Sequence, residues 1–257
     1  MKQILCIIGS QRRKTTYLGV QTFKLYLNKI LDIHIDYLFL NNYHLEFCHG
    51  CKRCFDHGEN HCPIDDDLPM ILEQIYKADG LVLASPNYAF HVSGRMKNFI
   101  DRVAYLYHRP RLFNVSMTAI VSQGVFGGNS ILKYLESSGQ NLGCQVVKGS
   151  AFTALEPLSH KNKDQMDKKM AQLAQRFAKS LQMDKPIKPN WFRFMMFRIT
   201  RSGIQYHKTK LYDYEYFKKQ GWFESDYYYS VPIGRIKKLL GHLFDYLGRT
   251  YVSKLIG

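Results

Sequence analysis

The 257-residue sequence contains no long apolar run. The nearest candidate, residues 191–199, is short and holds Arg193 and Arg198, whereas a membrane-spanning helix needs about 20 mostly apolar residues. The opening residues, MKQILCIIGS, lack the basic region, the apolar region and the cleavage site of a secretory signal. We therefore expect a cytoplasmic protein without disulfides, since reducing compartments disfavour them.

Acidic residues are also scarce: 21 Asp and Glu stand against 36 Lys and Arg, which gives a formal net charge of +15. From residue 183 onward the imbalance is steeper, with 14 basic and 6 acidic residues. Such an excess of positive charge favours anionic ligands, whether phosphate groups, nucleic acid or a lipid surface. With 46% hydrophobic and 22% charged residues, the composition is that of a globular protein and excludes a disordered chain.

The apolar runs of the first 180 residues are short and alternate with helical patterns. Apolar strands separated by helices indicate an α/β fold with a parallel sheet covered on both faces. In such a sheet a ligand binds outside the carboxyl ends of the strands. Strands are predicted at 4–9, 33–40, 80–86, 116–124 and 144–152, and helices near 16–30, 68–78, 93–105, 128–142 and 164–181.

The loop after the first predicted strand has the sequence GSQRRKTT, residues 9–16. Its glycine permits a tight turn, and its hydroxyl and guanidinium groups lie at a helix N-terminus, which favours an anion. The spacing matches neither of the two common glycine-rich nucleotide motifs, so a terminal monophosphate is favoured over a triphosphate or pyrophosphate. The alternative is a surface loop in which Ser and Thr cap the helix.

Two further loops follow the third and fourth predicted strands: SPNYAFHVSGRMKNFIDR, residues 85–102, and VSQGVFGGNS, residues 121–130. A flat aromatic ligand needs an apolar wall and a few backbone donors, which a Pro-x-Tyr turn can supply. Glycines allow close approach of the backbone. The alternative for Tyr88 and Phe90 is packing beneath the next helix.

In these motifs and their order, the sequence resembles the NADPH-dependent FMN reductases over about residues 1–180. It departs from them at Gln11, where the family usually has proline. The resemblance implies a flavodoxin-like, doubly wound, five-stranded parallel sheet. It also implies hydride transfer from NAD(P)H to FMN and on to an acceptor such as a quinone, a flavin, a nitro compound or an iron-sulfur partner. No catalytic side chain is assigned, because FMN carries the chemistry. The residues implied to bind FMN are Ser10, Arg12, Thr15, Thr16, Pro86, Asn87, Tyr88, Phe90, Ser122, Gln123 and Gly124.

Four of the six cysteines lie in CHGCKRCFDHGENHC, residues 48–62, within a connection too long to be a simple link. The C-x2-C-x2-C-x7-C spacing is typical of iron-sulfur ligation and resembles the compact motif of iron-sulfur flavoproteins. Three alternatives stay open: a [4Fe-4S] cluster, reduced structural or redox thiols, and zinc. The ligands of the cluster would be Cys48, Cys51, Cys54 and Cys62.

The division of the chain is predicted at residue 182, between an FMN-binding domain, 1–182, and a basic, aromatic-rich, partly helical extension, 183–257. The extension ends in an amphipathic helical pattern over 234–257. We expect it to pack on the core or on the mate in a homodimer, because its apolar stripe would otherwise be exposed. The alternative is that this helix lies on an anionic membrane, a case weakened by Asp245 and by the scarcity of a wide basic face.

Two other classes of protein fit parts of the sequence. A flavodoxin-like or iron-sulfur flavoprotein electron carrier, without NAD(P)H turnover, would share the fold and the FMN loops but would not explain the basic extension. A nucleic-acid-binding module is suggested by the charge and the tyrosine clusters, but no RNA-binding signature is present and acidic residues interrupt the aromatics. We therefore expect a small-molecule acceptor and no nucleic acid.

Overall fold

The computed structural model describes residues 1–183, 186–207 and 211–256, which fall into two compact units. The first unit holds residues 1–49 and 64–183. The second holds residues 50–63 together with the described part of 184–257, so the segment that carries three of the loop cysteines groups with the C-terminal extension. The packing of the extension on the core or on a dimer mate stays a prediction.

The first unit is built on a parallel sheet with the strand order β2-β1-β3-β4-β5, while β6 also pairs with β4. This is the flavodoxin-like order, so the predicted fold class is confirmed. Ile4 of the first strand lies beside Ile35 on one side and Gly80 on the other. The strands are β1 (Lys2–Ile8), β2 (Ile33–Phe39), β3 (Gly80–Pro86), β4 (Ser116–Gln123), β5 (Gln145–Val146) and β6 (Ser150–Thr153).

The helices follow the predicted pattern in the first unit and make up most of the second. They are α1 (Thr15–Asn28), α2 (Arg53–Asp56), α3 (Leu68–Lys77), α4 (Gly94–Arg102), α5 (Gly128–Asn141), α6 (His160–Gln182), α7 (Trp191–His207), α8 (Tyr212–Lys219) and α9 (Arg235–Ile256). No helix in the described ranges is long and apolar enough to cross a membrane.

Two apolar layers enclose the sheet. On one face, Cys6 of β1 packs with Phe23 of α1 and Phe177 of α6, and all three are fully buried. On the other face, Leu83 of β3 and Phe99 of α4 line the same small apolar space. Because both faces are covered, every residue of β3 is buried, which is why the central strands read as continuous apolar runs.

The predicted fifth strand, 144–152, is interrupted and forms β5 and β6. Gly149 lies at the break, and a Cβ there would be 2.4 Å from the Ala119 carbonyl oxygen. Its N–H donates to Glu136 Oε1 of α5 at 2.8 Å instead of extending the ladder. A side chain of α5 thus takes the place of one backbone hydrogen bond between strands. The apolar pattern of the sequence does not reveal this interruption.

The second unit has its own aromatic core. Phe197 of α7 is fully buried, and its ring centroid lies 4.5 Å from that of Tyr228. Trp222 packs on the same tyrosine and donates from Nε1 to its carbonyl oxygen at 2.9 Å. The cysteine-bearing segment joins this unit beside α8, where a Cβ at Gly58 would lie 3.0 Å from the Tyr212 ring. The aromatic density of the extension therefore reflects a packed interior.

Arg102, the last residue of α4, forms a buried ion pair with Asp66. Its guanidinium also donates to the Glu46 carbonyl oxygen at 2.9 Å, while Asp66 accepts from the Leu68 N–H at 3.1 Å. Burial opposes ionisation of Asp66, but the hydrogen bonds that Asp66 accepts, that from Arg102 foremost and then those from the Leu68 and Glu46 N–H groups, hold its pKa below the ordinary value. Asp101, the neighbouring residue on α4, pairs instead with Lys97.

We expect Arg102→Leu to lower the free energy of unfolding by about 3–5 kcal/mol, because Asp66 would be left buried without its counter-charge. Lys97→Ala on the same helix is the matched control: both partners of the Lys97–Asp101 pair are 44% exposed, so its loss should cost about 0.5 kcal/mol or less. Urea unfolding measures both.

The pH dependence gives a second check on Asp66. A depressed folded-state pKa means that the stabilisation is complete above the unfolded-state pKa, about 4, and declines as pH falls below it. The difference in unfolding free energy between wild type and Arg102→Leu should therefore shrink in acid. Two results would contradict the buried Arg102–Asp66 ion pair. One is an equal loss of unfolding free energy in Arg102→Leu and Lys97→Ala; the other is a difference between wild type and Arg102→Leu that grows in acid.

Candidate functional site

A cleft of about 190 Å³ opens at the carboxyl ends of β1, β3 and β4. Ten of the eleven residues predicted to bind FMN line it, and only Phe90 does not. The loops that meet there come from separate parts of the chain, as the parallel topology requires. The predicted residues in the cleft are Ser10, Arg12, Thr15, Thr16, Pro86, Asn87, Tyr88, Ser122, Gln123 and Gly124.

The loop after β1 presents a concentration of donors. Neither a side-chain cap nor an acidic residue occupies the first turn of α1, and Arg12 and Lys14 line the cleft beside it. Ser10 Oγ donates to the Arg12 carbonyl oxygen at 3.2 Å, which folds the loop back on itself. The hydroxyls of Thr16 and Ser122 lie 2.7 Å apart in a buried hydrogen bond that joins this loop to the one after β4. The helix N-terminus and the two cations favour a bound anion.

The turn after β3 is strained. Tyr88 and His91 exchange two backbone hydrogen bonds of 3.0 Å, and the two residues between them, Ala89 and Phe90, have φ values of 48° and 63°. Non-glycine residues rarely adopt this left-handed conformation, and each costs about 1–3 kcal/mol. The turn leaves Tyr88 half exposed at the cleft. It also directs Phe90 to Phe126, with ring centroids 5.2 Å apart, so the prediction that Phe90 lines the site with Tyr88 does not match the described cleft.

The loop after β4 is held by hydrogen bonds from two side-chain amides, those of Gln123 and Asn87. Gln123 Nε2 donates to the Val125 carbonyl oxygen at 3.1 Å, and its Oε1 accepts from the Gly128 N–H at 2.7 Å. Asn87 Nδ2 donates across to the Phe126 carbonyl oxygen at 2.8 Å, which joins the second and third loops. Gly127 has a φ of 97°, and a Cβ there would lie 2.8 Å from the Phe90 ring. This glycine therefore allows the two loops to approach closely.

Three residues outside the predicted set also line the cleft: Lys14, which belongs to the predicted phosphate loop 9–16, and Ala154 and Glu156, which no sequence motif indicated. Lys14 Nζ lies 3.2 Å from Glu156 Oε2, and both side chains are about half exposed. Ala154 and Glu156 directly follow β6, so they too lie beyond the carboxyl end of a strand. In a parallel sheet, ligands bind beyond the carboxyl ends of the strands. Applied to the end of the fifth predicted strand, this rule would have indicated Ala154 and Glu156.

A second cavity, of about 510 Å³, adjoins the first, since Arg12 and Tyr88 line both. Phe47 contributes an apolar wall and is largely exposed. Arg95, in the first turn of α4, adds a second guanidinium, and no acidic side chain occurs among the described residues that line this cavity. The pair of cavities therefore combines apolar surface with positive charge.

The four cysteines predicted as cluster ligands do not form a metal site in this structure. Within residues 1–183, 186–207 and 211–256, no group of three or more His, Cys, Asp or Glu side chains is arranged to hold a metal ion. None of the six cysteines forms a disulfide, and the choice between a [4Fe-4S] cluster, zinc and reduced thiols stays a prediction.

Comparison with known proteins agrees with this site. A family model described as NADPH-dependent FMN reductase matches residues 2–156, a span that holds every residue lining the first cleft. The chain belongs to the NADPH-dependent FMN reductase family. The resemblance inferred from the loop motifs is confirmed.

Among curated relatives of this FMN reductase family member, an iron-sulfur flavoprotein from Archaeoglobus fulgidus is 28% identical over 129 residues. The match covers 50% of this chain and 62% of the relative, so the chain spans less than two thirds of that protein's length. The residues beyond 156 lie outside the family match.

Two solved structures share the fold. The NAD(P)H:quinone oxidoreductase from Methanothermobacter marburgensis has a TM-score of 0.55 and 15% identity, and the match covers 67% of this chain and 97% of that one. RosB, solved with bound 8-demethyl-8-formylriboflavin-5'-phosphate, also has a TM-score of 0.55 and is 13% identical. That match covers 91% of this chain and 92% of RosB. At these identities the likeness establishes the fold alone.

We expect a thiol reagent such as DTNB to distinguish three classes of cysteine in the metal-free protein, because the exposed thiolate is the reacting species. Cys48 and Cys51 are exposed and should react quickly, and the half-buried Cys54 and Cys62 more slowly. Cys6 and Cys144 are buried, and burial raises the pKa of the Cys6 thiol, so both should react only after unfolding. Protection of all four loop thiols together with stoichiometric bound iron would contradict the described arrangement.

Proposed function

We propose that this chain is an FMN-dependent oxidoreductase that uses NAD(P)H to reduce a small-molecule acceptor. The observation that carries the proposal is the convergence, in one cleft, of the anion-binding loop after β1 with the loops after β3 and β4. Family membership supports the oxidoreductase class. The choice of NAD(P)H as donor and of a quinone, flavin or nitro compound as acceptor is part of the proposal.

The residues of the cleft fit FMN. The uncapped first turn of α1, with Arg12, Lys14 and the hydroxyl of Thr15 at the cleft, supplies N–H, cationic and hydroxyl donors suited to a phosphate. Pro86 and Tyr88 supply apolar surface suited to a flat ring. FMN, when bound, would supply the two-electron chemistry, with hydride from NAD(P)H and electrons given to the acceptor.

The protein's own part is positioning. Pro86 and the bond from the Asn87 N–H to the Ser122 carbonyl oxygen, 2.8 Å, fix the loop after β3 against β4. The bonds of Gln123 within its own loop leave that loop little freedom. Lys14 is held by Glu156, so its ammonium group stays at the cleft, where the carboxylate offsets part of its charge. A rigid site of this kind lowers the entropic cost of bringing two reactants into contact.

The second cavity suits a co-substrate that carries phosphate groups. Arg12 and Arg95 both line it, and neither forms an ion pair with a carboxylate in the described residues. Positive charge and apolar surface together match the phosphates and the ring of a nicotinamide nucleotide. No step is assigned to an iron-sulfur cluster, because no group of the described cysteines is arranged to hold a metal ion. A homodimer, and the absence of nucleic-acid binding, remain part of this proposal.

The first test concerns FMN affinity. Arg12→Ala removes a charge at the cleft and should weaken FMN binding by about 1.5–3 kcal/mol, roughly 10- to 150-fold. Arg13→Ala is the matched control, because the Arg13 guanidinium lies 4.7 Å from the Phe39 ring and does not line the cleft. Quenching of flavin fluorescence measures both. Riboflavin, which has no phosphate, should bind weakly to wild type and Arg12→Ala alike; riboflavin binding as tightly as FMN would contradict the phosphate site.

The second test separates the enzyme from a passive electron carrier. The FMN-loaded protein should consume NADH or NADPH continuously when a quinone is supplied. Arg95→Gln should raise KM for the nucleotide roughly two- to fivefold without changing FMN affinity, as expected for one exposed charge. Lys97→Ala, on the same helix and outside both cavities, is the control. If the chemically reduced protein passes electrons to acceptors but never consumes NADH or NADPH, the protein is an electron carrier and the proposed NAD(P)H-dependent activity is wrong.

A further inference from the structure

The helix α9 exposes a continuous apolar stripe. The spacing of three and four residues places its members on one side of the helix, since an α-helix has 3.6 residues per turn. The exposed fractions run from 36% for Leu240 to 73% for Leu239. Soluble monomers rarely expose so many contiguous apolar side chains without a binding role. The stripe consists of Ile236, Leu239, Leu240, Leu243, Tyr246, Leu247 and Tyr251.

The charge of the exposed side of α9 is entirely positive. The helix contains one acidic residue, Asp245, and it is only 5% exposed. Arg198 Nε donates to Asp245 Oδ1 at 3.1 Å, and Arg201 donates to both of its oxygens at 2.7 Å. The acid that weakens the membrane alternative in the sequence is thus neutralised against α7. The exposed cations on α9 are Arg235, Lys238, Arg249 and Lys254, of which Lys238 forms an ion pair with Asp226 at 2.8 Å.

The orientation of the stripe is fixed. Arg198 and Arg201 belong to α7, so their bonds to Asp245 hold one side of α9 against that helix. Small residues bring the two helices together: Gly248 lies so near α7 that a Cβ would be 2.5 Å from the Ile199 carbonyl oxygen. α9 therefore cannot turn its apolar side inward without breaking a buried ion network.

Aromatic residues extend the surface at the start of α9. Trp191 and Phe192 of α7 are 48% and 60% exposed. Lys237 Nζ lies 5.1 Å from the centroid of the Trp191 ring, which places these aromatics beside the first turn of α9. Tryptophan and tyrosine combine an apolar body with a polar group, a property suited to the boundary between lipid tails and headgroups.

We propose that the exposed face of α9, with Trp191 and Phe192, binds the surface of an anionic lipid membrane, with the helix lying in the plane of the interface. The apolar stripe would enter the headgroup boundary and the flanking cations would meet anionic headgroups. A second copy of the chain fits less well: in a symmetric pair, the basic flanks of the two helices would meet with no exposed acid on α9 to compensate. The proposal is independent of the proposed oxidoreductase activity.

Vesicle sedimentation of the full chain tests the proposal. Binding is expected to vesicles that mix phosphatidylcholine with phosphatidylglycerol, to weaken with added salt, and to be far weaker with phosphatidylcholine alone. Leu239→Glu with Leu243→Glu should weaken binding roughly 100-fold or more by placing charge in the stripe. The matched control is Leu25→Glu with Met70→Glu, which makes the same charge change at two exposed apolar positions on α1 and α3.

The basic flank is tested separately. Arg235→Gln with Arg249→Gln should weaken binding to anionic vesicles roughly 10- to 30-fold. Lys161→Gln with Lys163→Gln, on the exposed side of α6, removes the same charge and should have a much smaller effect. Equal losses in the two pairs would mean that net charge alone attracts the protein to the vesicles, which would overturn the proposed surface.

Tryptophan fluorescence reports the contact directly. The chain has two tryptophans, and Trp222 is buried, so a blue shift with anionic vesicles, and quenching by brominated lipid, should come from Trp191 and disappear in Trp191→Phe. The proposal is overturned if the protein does not bind anionic vesicles at low salt, or if the Leu239→Glu, Leu243→Glu variant binds them as wild type does. It is also overturned if the stripe variant converts a dimer to a monomer while wild type ignores vesicles, since a second copy would then occupy the stripe.

Discussion

One serine hydroxyl joins the loops on which the cleft depends. Ser93 Oγ donates to the Gly9 carbonyl oxygen at 2.7 Å and accepts from the Met96 N–H at 3.2 Å, so it ties the end of β1 to the first turn of α4. The Ser93 N–H donates to Ser85 Oγ at 3.0 Å, which adds the end of β3. Gly9 is required by packing, because a Cβ would lie 2.6 Å from Ser93 Oγ and 2.9 Å from Met96 Cβ. With these groups buried and mutually satisfied, the donors of the first loop keep a fixed position relative to the turn at Tyr88.

Much of this arrangement could be predicted from the sequence because its signals are local. Apolar runs that end in Gly, Ser or Pro located the strand ends, and the parallel topology then required that the loops beyond them meet. Ten of the eleven predicted residues accordingly lie in one cleft. Phe90 is the exception, and its reason is also local: positive φ values at Ala89 and Phe90 turn its ring away to Phe126. No residue-type rule indicates such strain, because neither residue is a glycine.

What could not be predicted depends on partners that are distant in sequence. Arg102 pairs with a residue 36 positions away and Ser93 with one 84 positions away, and a pattern of residue types does not name such partners. Asp245 shows the consequence for function. In the sequence it is an acid on an amphipathic helix and argues against a membrane surface, but in the structure Arg198, 47 positions away, takes up its charge. The objection that Asp245 raises therefore disappears through its contacts with Arg198 and Arg201 of α7.

The residues of the two proposed roles belong to different compact units. Every residue that lines the cleft and its neighbouring cavity belongs to the first unit, whereas α7 and α9 belong to the second. The family match ends at residue 156, so it describes the cleft and does not extend to α9. The properties of the second unit must then follow from its own chemistry: an aromatic core that holds it together, a buried ion network that fixes α9, and an exposed face of one charge sign. Because no cleft residue takes part in that network, changes on the exposed face of α9 can alter surface binding while the residues of the FMN site stay intact.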